Sequence, residues 1–188
     1  MKIAVLVSGN GSNLQAIIDS VESKYLKDVE LEIVLADRKC YATTRAEEHG
    51  VKHLTLSRKD DAMFDIIDNE TAECNLIVLA GFLSIVPSEF CKKHEKKIIN
   101  LHPALLPKYG GVGMYGDKVH RAVLANNEKE TGATVHYVTE GVDEGEVILQ
   151  ASFPLTKSDT IDSIKERLHG VEHQLIVEAI KQISKENV

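Results

Sequence analysis

An amide and an imidazole two residues apart are the side chains of this sequence best suited to acid–base chemistry. Asn100 and His102 stand in the segment NLHP at 100–103, at the end of an apolar run. On a strand, residues two apart project from the same face, so both side chains would point into the crevice where the strand ends. A histidine exchanges protons near neutral pH, and an asparagine amide donates to a developing oxyanion without titrating. The spacing predicts a catalytic pair, although two residues that only cap the following proline loop would show the same pattern.

A carboxylate that could assist this pair stands in a polar connection further along the chain. Asp143 lies within GVDEG at 141–145, between two segments whose side chains alternate in polarity. A carboxylate beside His102 would favour the charged imidazolium and keep a proton available. Viewed alone, this connection is more simply interpreted as a surface turn. Its position in the sequence does not indicate that Asp143 lies close to His102 in space.

Two glycines separate the first apolar run from the first helical pattern, in SGNGSN at 8–13. Glycines let the backbone approach a ligand closely, and the unpaired N–H groups of a helix start attract anions, phosphate above all. Gly11, Ser12 and Asn13 are therefore the predicted phosphate-binding residues, and Ser12 or Asn13 is the predicted N-cap. A tight turn without a ligand is the alternative.

The dinucleotide fingerprint is incomplete in the same segment. It requires Gly-x-Gly-x-x-Gly, and Leu14 occupies the third glycine position. Asp37, after the second predicted strand, could imitate the ribose-binding acid of a nicotinamide site, and Arg38 beside it would suit a second phosphate. A metabolite with a single phosphate fits the loop better.

Apolar runs and helical periodicities alternate along most of the chain. This alternation predicts a single-domain α/β fold over residues 1–188, with a mostly parallel, twisted sheet flanked by helices in a Rossmann-like arrangement. Near the C-terminal end, two alternating segments predict antiparallel strands added at the edge of the sheet. The predicted strands cover 2–7, 31–36, 53–56, 76–80, 97–101, 133–138 and 146–153. The first predicted helix begins at 12 or 13, and the later ones cover 43–48, 60–73, 119–125 and 160–183. A long loop is predicted at 108–116, and the charged run at 92–97 is predicted to be an exposed end.

Composition sets limits on location and partners. The 188 residues carry a formal net charge of −7, which argues against nonspecific nucleic-acid binding. No apolar run approaches the length of a membrane span, and the first residues lack the pattern of a signal peptide. Cys40, Cys74 and Cys91 have no metal-type spacing and are expected to be free thiols in a reducing cytoplasm. We expect no metal, no membrane and no nucleic-acid partner, and either a monomer or a homodimer.

Three further histidines are weaker candidates. His136 stands in an alternating strand, where we interpret it as structural, with a position lining the crevice as the alternative. His169 and His173 are four apart on the last predicted helix, but the Glu of a His-Glu-x-x-His zinc motif is missing. Packed or surface histidines are therefore a better interpretation than metal ligands.

Five segments of the chain carry a resemblance to a known family. They are SGNGSNLQAI at 8–17, LAGF at 79–82, NLHPALLP at 100–107, GATVH at 132–136 and VDEG at 142–145. With these segments in this order, essentially the full chain resembles the formyltetrahydrofolate-dependent formyltransferases, in particular the branch that acts on glycinamide ribonucleotide. The resemblance implies that a formyl group passes from 10-formyltetrahydrofolate to the amino group of glycinamide ribonucleotide in purine biosynthesis.

The resemblance also implies roles for residues. Asn100 and His102 would stabilise the oxyanion, with His102 as proton donor and shuttle, and Asp143 would raise the pKa of His102. The 11–13 segment would bind the substrate phosphate, and Glu172 would contact the glycinamide part. The residues that match folate-binding positions of the family are Arg58, Leu83, Ser84, Ile85, Val86, Asn100, Thr139, Glu140, Gly141, Val142 and Asp143.

The chain departs from the family pattern at two places. Ser84 stands where many relatives have Arg, and the loop at 108–116 is longer and richer in glycine than the common form.

Four other functions compete with formyl transfer to glycinamide ribonucleotide. A formyltetrahydrofolate hydrolase would carry an N-terminal regulatory domain, and a methionyl-tRNA formyltransferase would carry a further C-terminal domain and a basic surface. An NAD(P)-dependent oxidoreductase would rely on Asp37 and Arg38, and a noncatalytic nucleotide sensor would use the phosphate loop alone.

Overall fold

The apolar runs of the sequence become the strands of one sheet. The computed structural model describes residues 1–186, and over that range the strands are β1 (Lys2–Val7), β2 (Glu30–Ala36), β3 (His53–Thr55), β4 (Leu76–Leu79), β5 (Ile98–His102), β6 (Glu130–Tyr137) and β7 (Val147–Pro154). Their order across the sheet is β3-β2-β1-β4-β5-β6-β7. The five strands at one side of this order, β3-β2-β1-β4-β5, pair in parallel. The strands β6 and β7 are added beside β5 in antiparallel pairing. The predicted α/β class, with antiparallel strands near the C-terminal end, is confirmed.

Helices connect the parallel strands and cover both faces of the sheet. Within the described range they are α1 (Ser12–Glu22), α2 (Tyr41–Glu48), α3 (Met63–Glu70), α4 (Ser88–Lys93), α5 (Asp117–Ala125) and α6 (Ile161–Glu186). The short helix α4 was not predicted, because its apolar residues Phe90 and Cys91 are buried beside a run of charges that resembles an exposed chain end. Lys92 and Lys93 are exposed, as predicted for the charged run at 92–97, but they form the last turn of α4.

The core consists of two layers, one on each face of the sheet. Successive residues of β1 enter opposite layers, as the two-residue period of a strand requires: Ile3 and Val5 pack with α1 and α6, while Ala4 and Leu6 pack with α3 and α4. A strand buried on both faces must be apolar throughout, which explains why β1 reads as a continuous hydrophobic run.

The topology creates a crevice at the carboxyl ends of β1 and β4. From β1 the chain moves to β2 on one side, and the later strand β4 lies on the other side, so the order of the sheet reverses there. Open α/β sheets bind ligands at such a switch point, because the loops after the two strands diverge. The Ser8 N–H donates to the Gly81 carbonyl at 3.1 Å and joins these two loops. In the described part of the chain, no helix is both long enough and apolar enough to cross a membrane.

Candidate functional site

The predicted amide and imidazole lie side by side on β5, at the junction with the antiparallel strands. In the register of β5 and β6, Asn100 is opposite His136 and His102 is opposite Thr134. His102 is 4% exposed, and His136 is also buried. The rigid centre of the sheet therefore supports these side chains, as precise acid–base chemistry requires.

Asp143 reaches this pair from the connection between β6 and β7. Its Oδ2 lies 3.4 Å from His102 Nδ1, and the same oxygen accepts the Gly111 N–H at 3.0 Å. Asp143 has a left-handed backbone with φ of 59°, an uncommon conformation for a residue with a side chain. The structure thus brings together the three groups that the sequence singled out, and the surface-turn interpretation of Asp143 is wrong.

The second ring nitrogen of His102 has a partner that the sequence did not indicate. His102 Nε2 lies 2.8 Å from the Tyr109 carbonyl oxygen. A carbonyl only accepts hydrogen bonds, so Nε2 carries the proton that it donates. In the neutral ring, Nδ1 is then the unprotonated nitrogen, and it faces Asp143.

Burial and charge act in opposite directions on His102. Burial lowers the pKa of the imidazole, and this effect outweighs the Asp143 charge and the Tyr109 carbonyl, which raise it. The implied effect of Asp143 is thus present, but the net pKa lies below the ordinary value. Burial also raises the pKa of the Asp143 carboxyl, but the neighbouring imidazoles of His136 and His102, with the Gly111 N–H, outweigh burial and leave it below its usual range. At neutral pH the pair is a carboxylate beside a neutral imidazole.

His136 is the site residue that the sequence analysis undervalued. Its Nδ1 donates to the Tyr137 carbonyl at 2.8 Å, which leaves Nε2 as the acceptor in the neutral ring. The Asn100 amide nitrogen donates to that Nε2 at 3.1 Å, and Asp143 Oδ1 lies 3.6 Å away. His136 therefore orients the amide of Asn100, leaving its second N–H free to donate. The strand register that aligns these residues was the missing signal.

The glycine loop forms the start of α1. Gly11 is the N-cap residue with φ of 75°, so the helix begins at Ser12, and the predicted N-cap at Ser12 or Asn13 is wrong by one or two positions. A Cβ atom on Gly11 would lie only 2.6 Å from the Ala42 Cβ. Both the left-handed backbone and this close approach explain why a glycine stands there. The first turn of α1 contains no acidic residue, so its unpaired N–H groups suit an anion.

Glu172 of α6 lies beside this helix start. Asn13 Nδ2 donates to Glu172 Oε2 at 3.3 Å. Burial raises the pKa of the Glu172 carboxyl, and the Asn13 hydrogen bond only partly offsets it. The amide oxygen of Asn13 is buried and has no hydrogen-bond partner among residues 1–186. A buried acceptor without a partner is uncommon, and here it points to a ligand that donates a hydrogen bond.

The predicted folate wall follows β4 and presents apolar side chains to solvent. Leu83 is 55% exposed and Ile85 is 75% exposed, whereas Val86 packs partly against the core. The Leu83 N–H donates to Ser8 Oγ at 2.8 Å, which joins this wall to the glycine loop. Large apolar side chains exposed beside a crevice are typical of a surface that an aromatic or aliphatic ligand covers.

Asp37 has a structural role that removes the nicotinamide alternative. It is 1% exposed, and both carboxylate oxygens accept hydrogen bonds from Arg38 at 2.7 Å. Ser84 Oγ also donates to Asp37 at 2.5 Å. An acid with these partners is not available to a ribose hydroxyl. The serine that departs from the family pattern thus ties the folate wall to the end of β2.

The remaining predicted folate residues lie on two exposed segments. Arg58 follows β3, and its backbone N–H donates to the Asp37 carbonyl at 3.0 Å. The loop before Asp143 follows β6, and its Glu140 Oε2 lies 3.4 Å from Lys92 Nζ. The other members of that loop are Thr139, Gly141 and Val142. Their contacts to a folate stay predictions.

The rings of His169 and His173 contact each other on α6, with centroids 4.5 Å apart and planes tilted by 51°. Among residues 1–186, no group of three or more His, Cys, Asp or Glu side chains is arranged to hold a metal ion. The three cysteines are free thiols.

The formyl transferase family model matches residues 1–180. A phosphoribosylglycinamide formyltransferase of Dictyostelium discoideum is 38% identical over 202 residues, covering 97% of each chain. The trifunctional purine biosynthetic protein adenosine-3 of Drosophila melanogaster is 36% identical over 97% of this chain, which spans 14% of that protein.

The fold has a counterpart among solved structures. Glycinamide ribonucleotide transformylase 1 from Symbiobacterium toebii is 33% identical and superposes with a TM-score of 0.90, covering 99% of this chain and 88% of that one. Fold and sequence therefore lead to the same family. The chain belongs to the formyl transferase family and, within it, to the phosphoribosylglycinamide formyltransferases.

Proposed function

We propose that this chain transfers the formyl group of 10-formyltetrahydrofolate to the amino group of glycinamide ribonucleotide in purine biosynthesis. The observation that carries the proposal is the position of one acid–base cluster within a crevice that offers two different binding surfaces. An anion site lies at the start of α1, and an apolar wall follows β4. A cytoplasmic location is part of the same proposal.

Binding orients the two substrates before any bond changes. The N–H groups of 11–13 hold the substrate phosphate, and the unpartnered Asn13 amide oxygen with Glu172 accepts hydrogen bonds from the rest of that substrate. The pterin lies along Leu83 and Ile85 and takes hydrogen bonds from the loop at 139–143. Holding amine and formyl carbon together removes much of the entropic barrier.

The transfer itself needs one proton to move twice. The amine lone pair attacks the formyl carbon, and the carbonyl π electrons move onto the oxygen, which the free N–H of Asn100 stabilises. His102 Nδ1 takes a proton from the new ammonium group, and the Asp143 carboxylate stabilises the imidazolium. The bond from carbon to N10 then breaks with its electron pair on N10, and His102 returns the proton there. The products are formylglycinamide ribonucleotide and tetrahydrofolate.

The test is an assay of the purified chain with both substrates. We expect formylated product only when glycinamide ribonucleotide and 10-formyltetrahydrofolate are both present. A second reaction uses the phosphate-free riboside as acceptor and should proceed poorly, because the anion site is then unfilled. Release of formate at the same rate without the ribonucleotide would identify a hydrolase instead. Turnover with NAD(P)H and no folate would support an oxidoreductase.

A further inference from the structure

The Glu128 carboxylate lies outside the acid–base cluster but binds the segment of chain that contacts His102 and Asp143. Glu128 lies between α5 and β6, and its Oε1 accepts hydrogen bonds from Lys108 Nζ and from the Tyr109 hydroxyl, each at 2.8 Å. Its side chain is only 24% exposed. Hydrogen bonds to a charged acceptor are stronger than neutral ones, so this contact anchors the start of the glycine-rich loop.

The segment anchored by Glu128 contacts both members of the acid–base pair. The Tyr109 carbonyl accepts the His102 Nε2–H, and the Gly111 N–H donates to Asp143. Between them, Gly110 packs so closely that a Cβ atom would lie 2.5 Å from Leu106 Cδ2 and 3.1 Å from Asp143 Cβ. A displacement of this short segment would therefore alter the contacts of His102 and Asp143 together.

Two observations indicate that Tyr109 depends on its anchor. Its φ is 58°, in the left-handed region that a residue with a bulky side chain adopts only when its surroundings impose it. Its ring also lines a cavity of about 270 Å³, shared with Glu128 and Val123, so that packing does not enclose the ring on that side. The hydrogen bond from its hydroxyl to Glu128, with Asn126 also interacting with that hydroxyl, is the polar contact that holds the ring.

We propose that Glu128 is a positioning residue for the acid–base pair. By anchoring Lys108 and Tyr109 it keeps the Tyr109 carbonyl against His102 Nε2, and this fixes the neutral tautomer whose unprotonated Nδ1 faces Asp143. The inference rests on the proposed function only in that His102 is taken as the group that moves the proton. Glu128 itself touches no reacting atom.

The test measures the tautomer of the His102 ring by NMR and, in a separate assay, the enzymatic activity. In the wild-type chain, ¹⁵N NMR of His102 at mildly alkaline pH should show the Nε2–H tautomer, and Glu128→Ala should give a mixture of tautomers. The same variant should lose about tenfold in kcat, the scale of a misplaced catalytic group, while the KM of each substrate changes little. Glu128→Gln retains an acceptor oxygen and should keep most of both properties.

A second variant and a matched control make the result specific. Tyr109→Phe removes only the hydroxyl and should reproduce the effects of Glu128→Ala, and the double variant should be no worse than either single one. Glu70 pairs with Lys52 at 2.7 Å with a comparable side-chain exposure of 29%, so Glu70→Ala should change neither tautomer nor kcat.

An unchanged His102 tautomer and kcat in Glu128→Ala would overturn the inference. So would an equal loss of kcat in Glu70→Ala, or a fall in Tm with no change in tautomer. The NMR experiment needs no substrate. If Glu128→Ala shifts the His102 tautomer but the wild-type chain transfers no formyl group, the proposed function is contradicted and the positioning role of Glu128 stands.

Discussion

The unprotonated nitrogen of His102 faces the carboxylate of Asp143 at 3.4 Å, although the two residues come from β5 and from the connection between β6 and β7. The distance is longer than a direct hydrogen bond, so a proton on Nδ1 is stabilised by charge without being held by the carboxylate. A group in this setting can accept a proton and release it again.

Removing the imidazole should slow the chemical step more than it weakens binding. We expect His102→Ala to lower kcat about a hundredfold or more, the usual contribution of a positioned acid–base group. Phosphate affinity should stay close to that of the wild type, because the anion site is formed by 11–13. Steady-state kinetics and calorimetric titration with the ribonucleotide measure the two quantities. Nearly normal turnover would remove His102 from the mechanism.

Neutralising Asp143 should lower the pKa of His102 further. Burial already holds this pKa below its ordinary value, and the Asp143 charge is the largest effect opposing it. In Asp143→Asn that opposition is lost, so the midpoint of the His102 titration should move to lower pH. NMR titration of the ring measures the midpoint, and kcat should fall with it. A midpoint that stays the same or rises would show that the charge of Asp143 does not raise the pKa of the imidazole.

A methyl group on Gly11 should damage the anion site without touching the acid–base pair. Gly11→Ala imposes a left-handed backbone on a residue with a side chain, at roughly 1–2 kcal/mol, and adds a contact of 2.6 Å with Ala42. We expect a higher KM for the ribonucleotide and an unchanged KM for the folate. Gly170→Ala is the matched control, since a Cβ atom there meets nothing within 4 Å. Equal effects of the two substitutions would contradict the phosphate assignment.

The buried carboxylate of Glu172 should destabilise the folded protein at pH values above the acidic range. Burial raises its pKa in the folded protein, so as pH rises through the ordinary value the unfolded chain loses its proton first and unfolding is favoured. The penalty is complete once pH exceeds the folded value. Glu172→Gln should therefore raise the free energy of unfolding at neutral pH but hardly change it in acid. Urea unfolding at both pH values measures this, and the variant should bind the ribonucleotide more weakly. No gain at neutral pH would show that the buried carboxyl carries no such penalty.

Asp37 should have the opposite dependence on pH. Burial raises its pKa, but hydrogen bonds from Arg38, Ser84 and Ser8 outweigh burial and hold it below its usual range. The resulting stability is present above the ordinary pKa and is lost as pH falls through the folded value. Asp37→Asn should therefore cost roughly 2 kcal/mol near neutral pH, the scale of a hydrogen bond to a charged group, and less in acid. Urea unfolding across this range checks the slope, and an identical slope in the variant would exclude Asp37 as its source.

Local patterns were sufficient for the fold class and for the chemical character of the site. The run at 2–7 predicted a central strand, because a strand buried on both faces has no room for polar side chains. The two-residue spacing of Asn100 and His102 predicted that both side chains lie on one face of a strand, here β5. The helix α4 escaped prediction because six residues are too few to show a periodicity beside a charged run.

The sequence alone determined which residue types could move protons and bind phosphate, since periodicity and glycine placement act within a few residues of the chain. Only the tertiary structure decided that Asp143 lies beside His102, that His136 orients Asn100, and that Asp37 pairs with Arg38 and Ser84 instead of a ribose. The net direction of the His102 pKa was decided there as well. These properties depend on strand register and on burial, which arise from contacts between distant segments and leave no periodic trace in either segment.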